Sequence, residues 1–183
     1  AVPGTIEGQV LSLADKLDTL IECFGVGLVP SGSKDPFALR RAAQGVIKTL
    51  FEGRLKLDLF ALFKTSGSAH ISTEAALRLE EFLTDRIAYY LRELRSYPYD
   101  EVNAVMAKPV TNLPDLADRL EALHRIRPTP NFEPLAASFK RIQNILKQAG
   151  VTESAPVNAE KLTPGPEEAL YDAFQKVSAE VKK

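Results

Sequence analysis

The segment Val10-Leu-Ser-Leu-Ala-Asp-Lys-Leu-Asp-Thr-Leu-Ile-Glu-Cys-Phe24 lies near the start of the chain and decides its fold class. Its apolar side chains recur at the spacing of one face of an α-helix, whereas its acidic side chains occupy another face. The apolar face consists of Val10, Leu13, Leu17, Leu20, Ile21 and Phe24. We therefore predict a helix over residues 5–24, ended by Gly25 and Gly27.

The same periodicity recurs along the chain and predicts an all-α, multi-helix bundle. A second helix is expected to begin with Asp35 as N-cap and Pro36 as its first residue. Its predicted apolar face is Leu39, Ala42, Ala43, Val46, Ile47 and Leu50, which leaves Arg40, Arg41, Gln44 and Lys48 exposed. The apolar segment 57–63 fits either a strand or a short helix, and we favour the helix because its neighbours are helical.

Further helices are predicted over residues 73–95, 99–107, 113–125 and 132–148, and a last one begins near residue 164. The longest is expected to bury Leu79, Phe82, Leu83, Ile87, Tyr90, Leu91 and Leu94. The helix over 132–148 is expected to bury Leu135, Phe139, Ile142 and Leu146. The polar segment 65–68 is the expected boundary between two regions, 1–66 and 67–183.

The composition is typical of a globular protein without a strong overall electrostatic field. The chain has 183 residues, of which 45% are apolar, and a net charge of -1. Contact with a nucleic acid would therefore require a local basic patch. The single cysteine, Cys23, fits a reducing compartment, and we expect it to pack in the core. No apolar run reaches the ~18 to 20 residues that cross a bilayer, and no secretion signal is evident, so we expect a cytoplasmic protein without membrane contact.

Two motifs separated by a glycine-rich turn carry a family resemblance. The first is Leu13-Ala-Asp-Lys-Leu-Asp-Thr-Leu20, and the second is Ser31-Gly-Ser-Lys-Asp-Pro-Phe-Ala-Leu-Arg-Arg-Ala-Ala43. Together they resemble the beta subunit of the bacterial tetrameric glycyl-tRNA synthetase, and segments 82–86, 99–105, 116–120, 139–146 and 162–171 resemble later helices of that family. The resemblance implies an internal to C-terminal fragment of such a subunit. Residues 1–66 would end an HD-like helical domain, and residues 67–183 would form a helical linker and the first part of an anticodon-binding-type region.

The resemblance also implies a function, the ATP-dependent attachment of glycine to tRNA(Gly) by an aminoacyl-tRNA synthetase. In that family the alpha subunit carries the chemistry in an α2β2 assembly, so ATP and Mg²⁺ are expected on the alpha subunit. We accordingly expect no catalytic, cofactor-binding or metal-binding residue in this chain. It is expected to bind transfer RNA and the alpha subunit, and not DNA.

Three basic patches are candidates for RNA contact, because cationic side chains pair with phosphates and aromatic rings stack on unpaired bases. The first patch is Lys34, Arg40, Arg41 and Lys48; the second is Arg86, Tyr89 and Arg92; the third is Lys140, Asn144 and Lys147. Each fits a solvated helix surface equally well. Tyr97 and Tyr99 flank a proline and are expected to fix a turn.

Two other functions stay open at this stage. Asp15 resembles the last aspartate of metal-dependent HD phosphohydrolases, but no histidine precedes it, so a complete metal site is not expected. Asp15 and Asp18 are expected to be solvated or helix-packing groups, and His124 a structural histidine. The glycines before Lys34 do not have the order of a phosphate-binding loop. The other alternative is a helical protein-interaction module, which predicts a large exposed apolar groove.

Overall fold

The computed structural model describes residues 1–61, 71–110, 112–150 and 157–181. These residues contain no strand, and their one β-type contact is an isolated bridge between Ser31 and Lys34. The helices are α1 (Ile6–Gly25), α2 (Leu39–Glu52), α3 (Thr73–Tyr89), α4 (Tyr99–Met106), α5 (Leu113–Ile126), α6 (Phe132–Gln148) and α7 (Pro166–Val181). A π-helical turn, Tyr90–Leu94, follows α3, and a 3-10 turn, Ala159–Lys161, precedes α7. The all-α prediction is confirmed, and residues 59–61 of the ambiguous segment are helical.

The chain forms two compact units, Ala1–Glu133 and Pro134–Lys183. The predicted boundary at residues 65–68 lies outside the described residues, so the division into 1–66 and 67–183 stays a prediction. Described helices on both sides of that segment, α2 and α3 among them, contribute to one core in the first unit.

One apolar face of each helix from α1 to α5 enters the core of the first unit. Its completely or almost completely buried side chains include Leu20, Phe24, Val46, Ile47, Leu50, Leu79, Leu83, Ile87, Val102, Leu116 and Leu120. Two aromatic contacts join the helices: Phe24 meets Phe82 with ring centroids 5.1 Å apart, and Phe51 stacks on Tyr90 at 5.2 Å. Cys23 packs against this core, as predicted.

Polar side chains cap the N-termini of three helices. Thr5, Ser72 and Asn112 precede α1, α3 and α5, and each side chain accepts a hydrogen bond from the backbone N–H three residues later, at 3.2, 3.2 and 2.7 Å. After α1, the Leu28 N–H donates to the Cys23 carbonyl at 2.8 Å. This hydrogen bond ends α1 and requires Gly27 to adopt the left-handed conformation. Its φ is 81°, which glycine adopts without a steric penalty.

The start of α2 differs from the prediction. The helix begins at Leu39, not Pro36, and its N-cap is Ala38, which has a φ of 55°. Asp35 and Pro36 lie in a turn that is closed by the Ala38 N–H donating to the Asp35 carbonyl at 3.1 Å. The Asp35 carboxylate still caps the helix, because it accepts from the Leu39 and Arg40 N–H groups at 2.8 and 3.0 Å. Asp35 was therefore predicted correctly as a capping group and wrongly as the N-cap residue.

The end of α3 also differs from the prediction. The Arg95 N–H donates to the Tyr90 carbonyl at 3.1 Å, five residues back, as in a π-helix. Leu94 was predicted to be buried, but its side chain is exposed. The wider π turn takes more residues per turn than an α-helix, which moves Leu94 off the buried face.

The second unit contains α7 and all of α6 except its first two residues, and none of its described residues is buried. Leu135, Phe139, Ile142 and Leu146 were predicted to be buried but are about half exposed. On α7, Leu170, Phe174 and Val177 are exposed as well. The helical period identified which residues share a face, but burial needs a covering surface, which periodicity does not identify.

Two ion-pair clusters join the helices of the first unit at its surface. Arg54, just after α2, donates to both oxygens of Asp118 on α5 at 3.2 and 2.8 Å. Its hydrogen bond lowers the pKa of the Asp118 carboxyl below the usual 3.8. Arg127, just after α5, likewise bonds to Asp100 on α4 and lowers the pKa of that carboxyl.

Glu101 on α4 is the buried member of these clusters. Its carboxylate accepts from Arg127 Nη1 at 2.9 Å and lies 2.8 Å from His124 Nδ1. These partners compensate the burial of the charge. His124 is therefore a structural histidine, as predicted, and its ring also meets the Tyr97 ring edge to face at 5.4 Å.

In the part of the chain that the structure describes, no helix has the length and apolarity needed to span a membrane.

Replacing a core leucine of α3 should destabilise the first unit far more than replacing an exposed one. We expect Leu79→Ala to lower the free energy of unfolding by about 2 to 5 kcal/mol, because it leaves a cavity where the side chain is completely buried. Leu77→Ala, on the same helix and 62% exposed, is the matched control and should change it by less than about 1 kcal/mol. Urea denaturation followed by circular dichroism measures both, and equal effects would contradict the described core.

The Arg54–Asp118 pair should make stability depend on pH in the acid range. The folded-state pKa of Asp118 is depressed, so its contribution is fully present above the usual value of 3.8 and is lost as pH falls through the folded pKa. We expect Asp118→Asn to destabilise the chain at about pH 6 and to have a smaller effect at about pH 3. In the Arg54→Met background most of this pH-dependent difference should disappear, because Lys56 makes only a smaller contribution to the lowered pKa of Asp118. A difference of unchanged size without Arg54 would contradict the assignment.

Candidate functional site

A cavity of about 390 Å³ opens between the start of α2 and the last turn of α3. Its lining brings together side chains from the first two predicted patches, with two polar neighbours. We call it the basic groove, and it is lined by Asp35, Ala38, Arg40, Arg41, Gln44, Arg86 and Tyr89. Its volume is within the range of roughly 300 to 1000 Å³ that is common for ligand sites.

The three arginines of the basic groove are held in different ways. Arg40 Nη2 donates to the Gly32 carbonyl at 2.7 Å, which fixes this side chain against the turn before α2. The Arg86 guanidinium lies over the Tyr89 ring, 5.0 Å from its centroid. Arg86 Nε is buried and has no hydrogen-bond partner among the described residues. Arg41 is exposed, and its side chain makes no hydrogen bond within the described ranges.

The basic groove carries excess positive charge. Three arginines line it, and Asp35 is the one acidic residue among the lining residues. No carboxylate of the described residues lies within ion-pair distance of Arg40, Arg41 or Arg86, whereas Asp35 is hydrogen-bonded to the backbone at the start of α2. Unpaired guanidinium groups that share one concave surface are suited to bind a phosphate or another anion.

The structure separates other members of the predicted patches from the groove. Lys48 lies further along α2, where its Nζ is 3.6 Å from Glu52 Oε1. Lys34 bonds through its backbone to Ser31 and is not among the lining residues. Arg92 turns towards α4, where it donates to Asn103 at 2.6 Å and lies 4.3 Å from the Tyr99 ring centroid.

The third predicted patch, Lys140, Asn144 and Lys147, lies exposed on α6 in the second unit. These side chains are at i, i+4 and i+7 and therefore share one face of that helix. A role of all three patches in RNA contact stays a prediction.

Gln44 and Asp35 were not among the candidate site residues. The sequence already indicated that Gln44 would lie beside Arg40, since it follows Arg40 by four residues on the same helical face. Asp35 reaches the groove only because the chain turns before α2, and no helical period contains that information.

The described residues contain no candidate metal site. No group of three histidine, cysteine, aspartate or glutamate side chains there could hold a metal ion. Asp15 and Asp18 are exposed on α1, and His70 lies outside the described residues.

Comparison with known proteins identifies consistent relatives. Residues 1–107 match the family model described as glycyl-tRNA synthetase beta subunit. The chain is 43% identical to the glycine–tRNA ligase beta subunit of Acidobacterium capsulatum, over 99% of this chain and 27% of that protein. It is 42% identical to that of Leptothrix cholodnii and 40% to that of Ralstonia nicotianae, over 97% and 94% of this chain. The chain spans about a quarter of the length of these curated relatives.

Removing the Asp35 carboxylate should weaken the start of α2. We expect Asp35→Ala to lower the free energy of unfolding by about 1 kcal/mol, because two backbone N–H groups lose their acceptor. Asp18→Ala, at an exposed position of α1, is the matched loss of one carboxylate and should have little effect. Denaturant unfolding measures both variants, and equal stabilities would contradict the capping role.

Proposed function

The chain belongs to the glycyl-tRNA synthetase beta subunit family, and from this premise we propose that it serves the ATP-dependent attachment of glycine to tRNA(Gly). In this proposal the chain binds RNA as part of a glycine–tRNA ligase in the cytoplasm. Glycine activation, with ATP and Mg²⁺, takes place on an alpha subunit, and the two kinds of subunit form an α2β2 assembly.

The observation that carries the proposal is the basic groove between α2 and α3. Arg40 and Arg41 come from the start of α2, and Arg86 comes from the end of α3, so two separate helices contribute arginines to the lining of one cavity. Guanidinium groups bind phosphate oxygens through paired N–H donors and stay charged at all physiological pH values. An RNA backbone supplies the charge that these side chains lack among their neighbours.

Tyr89 gives the basic groove a second property beyond its charge. Its side chain is 43% exposed, and the Arg86 guanidinium covers one part of the ring at 5.0 Å. A ring that is held in place in this way can stack on an unpaired base while the neighbouring arginines hold the phosphates. We therefore propose that the groove binds a single-stranded or distorted part of the transfer RNA.

The exposed stripes of α6 and α7 favour a second candidate function, a protein-interaction module. Phe139 on α6 is 59% exposed and Phe174 on α7 is 62% exposed, and each lies in an apolar helical face. Amphipathic helices with this exposure bind apolar grooves of partner proteins. In this family the alpha subunit is the first partner to test, by pull-down with the chain and with its Phe139→Asp, Phe174→Asp variant. Equal capture of the two chains would exclude a contact through these stripes.

The RNA-binding proposal is tested by measuring affinity for tRNA(Gly), for its anticodon stem-loop and for an unrelated transfer RNA. We expect binding of the full chain to tRNA(Gly) that weakens strongly between about 50 mM and about 200 mM salt, because neutralised phosphates release counterions. Arg41→Ala should lower the affinity about tenfold and reduce the salt dependence by about one phosphate contact.

Arg78→Ala is the control for this measurement. Arg78 is an exposed arginine on α3 whose partner is Glu74, so the substitution removes the same charge outside the groove. It should leave affinity and salt dependence nearly unchanged. Absence of RNA binding by the intact chain, or equal effects of Arg41→Ala and Arg78→Ala, would refute the groove as the RNA site.

A further inference from the structure

A second cavity, of about 250 Å³, lies at the opposite end of α2. Three aromatic residues line it, Phe51, Tyr90 and Tyr97, and two arginines, Arg54 and Arg95, contribute positive charge. We call it the aromatic cavity. It lies among the end of α2, the π-helical turn and α5, all within the first unit.

The backbone around the aromatic cavity is unusual at three points. Tyr90 and Arg95 belong to the π-helical turn and its C-cap, and π turns are frequent at functional sites. Arg54 has a φ of 48°, and Ser96, between Arg95 and Tyr97, has a φ of 58°. Residues other than glycine adopt this left-handed region at a cost, and such residues are concentrated at ligand-binding sites.

The side chains of the aromatic cavity are held in place before any ligand binds. Phe51 and Tyr90 stack with an angle of 18° between their rings. The Tyr97 hydroxyl donates to Glu121 Oε2 at 2.8 Å, and burial together with this bond raises the pKa of Tyr97, which keeps the ring neutral. A fixed aromatic surface loses little entropy when a planar ligand stacks on it.

Arg95 is the cation that remains available at the aromatic cavity. Arg54 is paired with Asp118, and Glu52 is 3.6 Å from the Lys48 amine, so these charges are balanced locally. Arg95 is exposed, and no carboxylate within the described ranges pairs with it. The cavity thus combines apolar ring surface with one free guanidinium, which is the chemistry that a nucleotide requires.

One face of α2 connects the two cavities. Arg41 and Gln44 line the basic groove, Glu52 lines the aromatic cavity, and Lys48 lies between them on the same face. The helical rise places Arg41 and Glu52 about 16 Å apart along the axis. An extended chain of a few nucleotides can span this length.

We propose that the aromatic cavity receives one unpaired nucleobase of an RNA strand whose phosphates bind in the basic groove. The base stacks on the Phe51 and Tyr97 rings, and Arg95 binds the phosphate of the same nucleotide. The proposal rests on the RNA binding proposed above and extends it to a defined single-stranded path along α2.

The sequence allows a direct test, because the chain contains no tryptophan. Phe51→Trp places a single fluorescent reporter in the aromatic cavity, and Tyr89→Trp places one in the basic groove. Hexauridylate is the probe, and an abasic oligoribose phosphate of equal length is its control. We expect hexauridylate to quench both reporters, whereas the abasic oligomer should bind through phosphates and leave the Phe51→Trp fluorescence unchanged.

Affinities then measure the contribution of the cavity. Arg95→Ala should weaken hexauridylate binding about tenfold, whereas Arg78→Ala should not weaken it. The abasic oligomer should bind roughly tenfold more weakly than hexauridylate to the unmodified chain, since the stacking of one base is lost. Tyr97→Trp is a second reporter in the same cavity, used if circular dichroism shows that Phe51→Trp disturbs folding.

The outcomes separate this inference from the proposed function. Quenching of Tyr89→Trp without any change in Phe51→Trp or Tyr97→Trp would overturn the aromatic cavity as a base site and leave the basic groove intact. Equal effects of Arg95→Ala and Arg78→Ala would also overturn it. If hexauridylate and tRNA(Gly) both fail to bind the intact chain, the proposed function and this inference fail together.

Discussion

The burial of one face of α2 is the constraint on which the rest of the first unit depends. Leu39, Ala43, Val46, Ile47 and Leu50 are almost completely inaccessible to solvent, because α1, α3 and α5 all pack against this helix. Complete burial of a large aliphatic side chain contributes about 1.5 to 3 kcal/mol. The remaining face of α2 must consequently lie at the surface, and its polar side chains are presented in one direction.

Both candidate sites follow from that arrangement. The chain turns immediately before and after α2, although Leu39 and Leu50 near its two ends are buried in the core. Asp35 caps one end, and Arg54 joins the other end to α5 through Asp118. Polar backbone groups and charged side chains concentrate at these ends because the apolar core cannot accommodate them. The basic groove lies where these surface groups meet the last turn of α3, and the aromatic cavity lies where they meet the π-helical turn and α5.

The spacing of residues along the sequence was sufficient to predict the helices but not to predict the two candidate sites. The helical period correctly located α1, α3 and α5, because each of them has a continuous apolar stripe. It also placed Arg40 and Arg41 on an exposed face. The period could not show that Arg86 from α3 would share a groove with them, or that Arg92 would turn towards Asn103, since both depend on how helices distant in sequence pack. Exposure of Phe139 was missed for the same reason, because periodicity does not identify a covering surface.

The sequence alone determined the fold class, the helix positions and the family resemblance, because short-range spacing, capping residues and ordered motifs encode these properties locally. Tertiary structure decided which charges act together. It paired Arg54 with Asp118 and Arg127 with Asp100, and it left Arg41 and Arg95 without carboxylate partners among the described residues. The physical reason is that electrostatic interactions depend on distances in space, and packing brings together side chains from different helices that sequence spacing does not relate.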